Sequence, residues 1–252
     1  MTRVAIIAAM PGELKPFLDA NAKEGWMHEK RGNIHLWRLT WAGGHEWVAA
    51  CAGAGVDAAT RAFAEVEKDG AIDEAISIGW VGALTQQFTV GGAYEVSGVI
   101  DARTGERFPT SAASAESLVA NETLLVTSPK VADEAEKRRL AAAYGAGLVD
   151  MEAAGVARLA EMRGIPFYCV KAVSDGVSDK LPDFNRFISD QGQFLLARFI
   201  LFALIRPWHW PALIRMGENS KKAALGLRDR LLENLYERGA TRKRNGYPNL
   251  KH

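Results

Sequence analysis

Between Val149 and Asp175 the chain sets out a strand end, a helix and a second strand with an acid at each strand end, and few architectures accommodate that order. Val149-Asp150-Met151-Glu152-Ala153-Ala154-Gly155 runs from a strand end into a helix start, with the acid at the junction. Helical spacing from Glu152 to Arg163, Gly164 as a stop, and Pro166 opening an apolar run that ends in Ala172-Val173-Ser174-Asp175 predict a strand, helix, strand unit of the parallel-sheet kind. In open α/β sheets ligands bind at the carboxyl ends of strands. Met151, Glu152, Ser174 and Asp175 are therefore expected on the functional rim.

A chain of 252 residues, 48% apolar and 24% charged, is long enough for one α/β domain with a sizeable core. Its net charge of +1 gives no electrostatic case for nucleic acid, which needs a basic surface excess. Cys51 and Cys169 lie in apolar runs without metal-ligand spacing and read as buried, reduced thiols of a cytoplasmic protein. Val4 to Ala9 reads as a first strand with only Arg3 before it, too short for a signal peptide.

Pro11 and Gly12 break that strand, and a short helix is expected through Leu18. Read by itself, Glu13 is a first-turn acid complementing the helix dipole. Ile34 to Thr40 and Glu46 to Cys51 predict a hairpin around Ala42-Gly43-Gly44, with His28, His35 and His45 as surface or turn residues. Gly53 and Gly55 approach a dinucleotide fingerprint, but the acids Asp73 and Glu74 precede the next strand and lie at its wrong end, so a tight turn is the better reading. A strand at Ile76 to Ile78 ends in Gly79-Trp80-Val81-Gly82-Ala83-Leu84, and another at Thr123 to Thr127 ends in Ser128-Pro129-Lys130-Val131. Ala132 to Tyr144, with charges on one face and alanines on the other, predicts an ordinary surface helix. On residues alone Glu152 is a helix-start acid and Asp175 a capping acid before Gly176.

The segment VDMEAAGVARLAEMRGIPFYCVKAVSD resembles the nucleoside phosphorylase / nucleosidase superfamily, most closely the methylthioadenosine / S-adenosylhomocysteine nucleosidase branch. Its most specific signature is the Met-Glu pair at Met151 and Glu152 followed by Ser174 and Asp175. The resemblance covers residues 1–205 and implies a three-layer α/β/α domain with a mixed central sheet, acting on a purine nucleoside of adenosine type. It implies that Asp175, held in an apolar pocket that raises its pKa, protonates N7 of the base, with Ser174 steadying it. Glu152 would accept hydrogen bonds from the ribose hydroxyls, each about 1.5–3 kcal/mol, and Met151 would wall the sugar. Ala9, Met10 and Glu13 match the small-Met-x-x-Glu pattern whose Glu contacts the attacking water.

The stretch from Gly79 resembles the family's G-S-A-G-G-L … V-G-D run with two departures: Trp80 stands where a small residue lies near the ribose, and Ala93 replaces an Asp. The indole either reshapes the sugar pocket or swings away from it. Lys130 or Val131 would face the base. No metal or redox cofactor is implied, and phosphate enters only as a co-substrate if cleavage is phosphorolytic. The phosphorylase members' arginines have no counterpart in Pro11-Gly12-Glu13-Leu14-Lys15 or between Arg61 and Arg103, which favours hydrolysis. Family precedent suggests a homodimer or larger assembly. The competing class is a non-catalytic nucleotide-binding protein whose pocket has changed at Trp80.

Phe194 to Ile205 is almost wholly apolar but is interrupted by Arg198 and falls short of the roughly 20 residues a bilayer span needs. A core helix is expected there. Beyond it residues 206–252 form a basic, Trp-containing extension with Trp208, Trp210, Lys221 and Lys222. Tryptophans beside apolar residues and cations suit the inner face of a membrane, and a tail wrapping a subunit partner is the alternative. The resembled superfamily includes a hopanoid-associated branch that removes adenine from a lipid-linked adenosyl compound, so a greasy 5′ substituent is a further expectation.

Overall fold

The computed structural model describes residues 2–40, 45–112, 123–179, 183–189, 195, 199 and 210–243. Arg3–Ala8 (β1) is buried at every position, as a central strand covered on both faces must be. Pro11–Ala20 (α1) follows, with proline at the helix start where a missing N–H costs nothing. Met27–Arg31 (β2), which the sequence reading did not separate, Ile34–Thr40 (β3) and Glu46–Cys51 (β4) form an antiparallel meander, so the expected hairpin is present. The expected turn at Ala42-Gly43-Gly44 lies outside the described residues.

Val56–Glu67 (α2) returns the chain to Glu74–Ala83 (β5), the longest strand. Ala93–Glu95 (β6), Gly98–Asp101 (β7), Arg107–Pro109 (β8) and Leu124–Thr127 (β9) follow. The remaining elements are Glu134–Tyr144 (α3), Leu148–Asp150 (β10), Ala153–Arg163 (α4), Phe167–Asp175 (β11) and the long helix Trp210–Lys243 (α5).

The strands form one mixed sheet of order β2-β3-β4-β1-β5-β10-β9-β7-β8, with β11 paired to β5 and β6. One parallel block joins β4, β1, β5 and β11; a second joins β7, β9 and β10; and β10 meets β5 antiparallel. This corrects the parallel strand, helix, strand expectation for Val149 to Asp175. The elements exist, but α4 carries the chain from one block to the other, so β10 and β11 run in opposite senses on either side of β5. Both nonetheless reach one point, because Val149 and Asp175 each pair with Gly82 at the carboxyl end of β5.

Helices cover both faces. Ala58, Ala62, Phe63 and Val66 of α2 pack with Ala153, Val156, Ala157 and Ala160 of α4 over one face. Leu14 and Phe17 of α1 share the other with Ala223, Leu227 and Leu231 of α5. Burying each of those leucines contributes roughly 1.5–3 kcal/mol, so α5 is joined to the domain by its own apolar stripe. The expected boundary at residues 205 and 206, most of the apolar run from Phe194 to Ile205, and Trp208 lie outside the described residues. Among the described residues no helix is long and apolar enough to cross a membrane.

Candidate active site

A cavity of about 680 Å³ opens where the carboxyl ends of β1, β4, β5, β9, β10 and β11 come together. Its wall includes Glu13, Trp80, Lys130, Val131, Met151, Glu152, Ser174 and Asp175. Eight of the nine residues expected at a site are thus brought to one place. The ninth, Gly79, lies behind the wall, where a Cβ would stand 3.1 Å from Glu13 Oε1. Its φ of +146° is a conformation that favours glycine.

Glu13 caps the helix that carries it and also faces the cavity. Oε2 accepts the N–H groups of Ala9 and Met10 at 2.8 and 2.9 Å, and Oε1 accepts that of Trp80 at 3.0 Å. Burial raises its pKa; the N–H bonds from Met10 and Trp80 and the charge of Lys171 offset this only in part. Glu152 Oε1 accepts the Gly55 N–H at 2.8 Å, which ties the start of α4 to the glycine turn ahead of α2. Desolvation, joined by the charge of Asp150, pushes the Glu152 carboxyl up to about 8.

Beneath them lies a second layer that sequence reasoning missed. Lys171, fully buried on β11, places Nζ 2.9 Å from Asp150 Oδ2 and donates to Ile78 O at 3.2 Å. Burial alone would lower the lysine's pKa, but the Asp150 and Glu152 charges overcome it and hold the ammonium. Asp150 also accepts from Thr127 Oγ1 at 2.7 Å and from the Ala153 N–H at 2.9 Å.

At the opposite side Ser174 Oγ lies 2.8 Å from Asp175 Oδ1, and the Lys137 ammonium donates to Asp175 Oδ2 and, at 2.6 Å, to Gly176 O. Lys137 is 1% exposed. The surface-helix reading of Ala132 to Tyr144 is therefore corrected at Lys137 and Leu140, which form an inward i, i+3 stripe. That spacing was the one available signal.

Trp80 does not swing away. Its ring faces Gly12 of α1 and narrows the cavity there, while the indole Nε1 is buried without a hydrogen-bond partner. The Val131 backbone N–H donates to Asn185 Oδ1 at 2.8 Å and the Val131 carbonyl accepts from Asn185 Nδ2 at 3.2 Å. His35, expected at the surface or in a turn, lies in the cavity wall with Nδ1 3.0 Å from His28 Nε2, the two rings stacked across β2 and β3. Met216 and Ser220 of α5 also reach the wall. Cys51 does too, but burial pushes its thiol up to about 12, which leaves it un-ionised and a poor nucleophile at neutral pH. Among the described residues no group of three His, Cys, Asp or Glu is placed to hold a metal.

The sequence pattern of the phosphorylase superfamily matches residues 3–120 and 111–201. No curated protein matches the chain. Among solved structures, a mutant of the Helicobacter pylori 5′-methylthioadenosine/S-adenosylhomocysteine nucleosidase, with 5′-methylthioadenosine in its active site, superposes with a TM-score of 0.68 at 14% identity. That match covers 94% of this chain and 99% of the other. The Neisseria meningitidis nucleosidase of the same name, in complex with methylthio-immucillin-A, gives 0.64 at 20% identity over 90% and 96%. Futalosine hydrolase of H. pylori gives 0.58 at 17% identity over 69% and 88%.

Proposed function

The chain belongs to the phosphorylase superfamily and is an enzyme built on the nucleosidase fold, and on that premise we propose that it hydrolyses the N-glycosidic bond of an adenosine-type nucleoside. In this reading Asp175, steadied by Ser174, passes a proton to N7 of the purine as the bond to C1′ breaks. Glu152 and Met151 hold the ribose, and Glu13 takes a proton from the water that attacks C1′ from the other side. Lys130 and Val131 face the base. A negative group below the ring favours the cationic sugar of the transition state.

One observation carries the choice of water over phosphate. The backbone N–H groups at the acidic end of the cavity already donate to carboxyl groups: those of Ala9, Met10 and Trp80 to Glu13, and that of Gly55 to Glu152. An incoming phosphate needs such donors free and would meet two acids in their place. Phosphorolysis, with phosphate as co-substrate, is the alternative that this arrangement disfavours.

A lipid-linked adenosyl compound is the second reading of the substrate, and the start of α5 favours it. Trp210 and Ile214 are 48% and 63% exposed there, each six residues before a residue of the cavity wall, Met216 and Ser220 respectively. Apolar side chains of this kind suit a membrane surface. Binding to anionic vesicles that is lost in Trp210→Ser/Ile214→Ser would support it, and equal binding by both proteins would not. The activity itself is tested by Asp175→Asn, which should lower turnover 10²-fold or more while ligand binding persists; unchanged turnover would remove Asp175 from the chemistry.

A further inference from the structure

The mechanism proposed above gives no task to Lys137, the buried cation that meets Asp175. Lys137 has its ammonium 1% exposed at the bottom of α3, and its two hydrogen-bond acceptors are Asp175 Oδ2 and Gly176 O. Burying a lysine costs several kcal/mol unless it is paired, and a helix of otherwise solvated charges has no packing reason to turn one inward. Leucine or methionine would fill the space with no such cost. The close approach is built for: a Cβ on Gly82 would lie 2.9 Å from Asp175 Oδ2 and 3.1 Å from Lys137 Cε, so only glycine leaves room for the pair.

These contacts also change what Asp175 is. Oδ2 accepts from the ammonium, while Oδ1 lies 2.8 Å from Ser174 Oγ, which is also 3.3 Å from the Val81 carbonyl. Lys137 is thus the one cation that donates directly to the Asp175 carboxyl among the described residues. Other charged groups around the pair are Asp179, which accepts the Gly176 N–H at 2.7 Å, Asp133 and Glu136 at the start of α3, Lys130 at the end of β9, and Glu13, Asp150, Glu152 and Lys171 in the cavity wall and beneath it.

We propose that Lys137 is a positioning residue that supplies Asp175 with the proton it delivers, an assignment that rests on the nucleosidase reading. The Lys137 ammonium passes a proton to Asp175 Oδ2, and as the C1′–N9 bond breaks and its electron pair enters the purine, N7 takes that proton from the Asp175 carboxyl. Asp175 is left a carboxylate again, and Lys137, left a neutral amine, regains a proton from solvent after the base leaves. The water oxygen bonds to C1′ and its proton goes to Glu13. Transfer within the pair removes both charges together, which a buried setting favours.

Two substitutions separate this role from a merely structural ion pair, read as pH profiles of base release from adenosine and 5′-methylthioadenosine. Lys137→Met leaves Asp175 to find its own proton, which an unassisted carboxyl holds only near or below about pH 4–5. Its kcat should fall at least 100-fold at pH 8 and recover to within about tenfold of wild type at pH 5, with KM changed less than threefold. Lys137→Arg keeps the ion pair but cannot give up its proton in a protein. With a melting temperature and KM within range of wild type, it should stay at least 100-fold down across the whole range; where it does not fold, the Lys137→Met profile decides. Restoration of activity by arginine, or a Lys137→Met profile parallel to that of wild type, would overturn the inference and leave the nucleosidase reading intact. Absence of base release by the wild-type protein at every pH would remove both.

Discussion

Glu13 Oε1 accepts the backbone N–H of Trp80 at 3.0 Å, and this bond joins the first helix to the carboxyl end of β5 across 67 residues of sequence. The same carboxyl caps α1 through the Ala9 and Met10 N–H groups, so the helix start and the cavity wall rest on one side chain. Glu13→Gln puts an amide nitrogen where only acceptors fit. We predict a turnover loss of 10²-fold or more from the missing base, together with about 1–3 kcal/mol of stability from the mismatched donors. Single-turnover kinetics and thermal unfolding of the same preparation read the two effects separately.

Stability should fall as pH rises through the neutral range. Glu13 and Glu152 both have folded-state pKa values above the ordinary carboxyl value of 4.5, Glu152 up to about 8. Between these limits the folded protein binds more protons than the unfolded chain, so the contribution present at pH 5 is lost as pH approaches 8. A melting temperature higher at pH 5 than at pH 8, with a slope reduced in Glu152→Gln, is the expected result. A flat wild-type profile would contradict the buried, coupled acids.

Trp80 bounds the cavity against Gly12. Trp80→Ala should widen the sugar side and remove apolar contact worth about 1.4 kcal/mol or more, hence a tenfold or greater rise in KM for a small nucleoside. Its kcat should change less than threefold. A larger loss in kcat than in KM would place the indole N–H in the chemistry instead.

Asn185 covers both polar groups of the Val131 backbone, offering an acceptor to its N–H and a donor to its carbonyl. A purine edge that reads Val131 must displace this amide. Asn185→Ala should therefore lower KM several-fold for an adenine nucleoside, and a raised KM would show that Asn185 contacts the ligand rather than competing with it.

The place of Glu152 and Asp175 in the cavity wall was legible because Asp175 closes β11 and Glu152 follows β10 at the start of α4, and the family signature joined them. Glu13 was legible in the same way, although its local reading as a helix-cap acid also describes its hydrogen bonds. What periodicity could not give was the sense of β10 relative to β11, since helical and strand patterns do not say which block of a mixed sheet a strand enters. Lys137 was hidden by its neighbours: Glu134, Glu136, Arg138 and Arg139 make its helix read as solvated, and only the third-residue spacing to Leu140 marks the inward stripe. Lys171 sat inside an apolar strand where no local rule assigns it a partner, because Asp150 reaches it through the fold rather than through the sequence.

Hydrolysis of a purine nucleoside is tested by base release from adenosine, 5′-methylthioadenosine and S-adenosylhomocysteine with and without phosphate, identifying the sugar formed. We predict free adenine and a free sugar from at least one of them, at a rate that phosphate does not change. Release only in the presence of phosphate, with a sugar 1-phosphate as product, would contradict it.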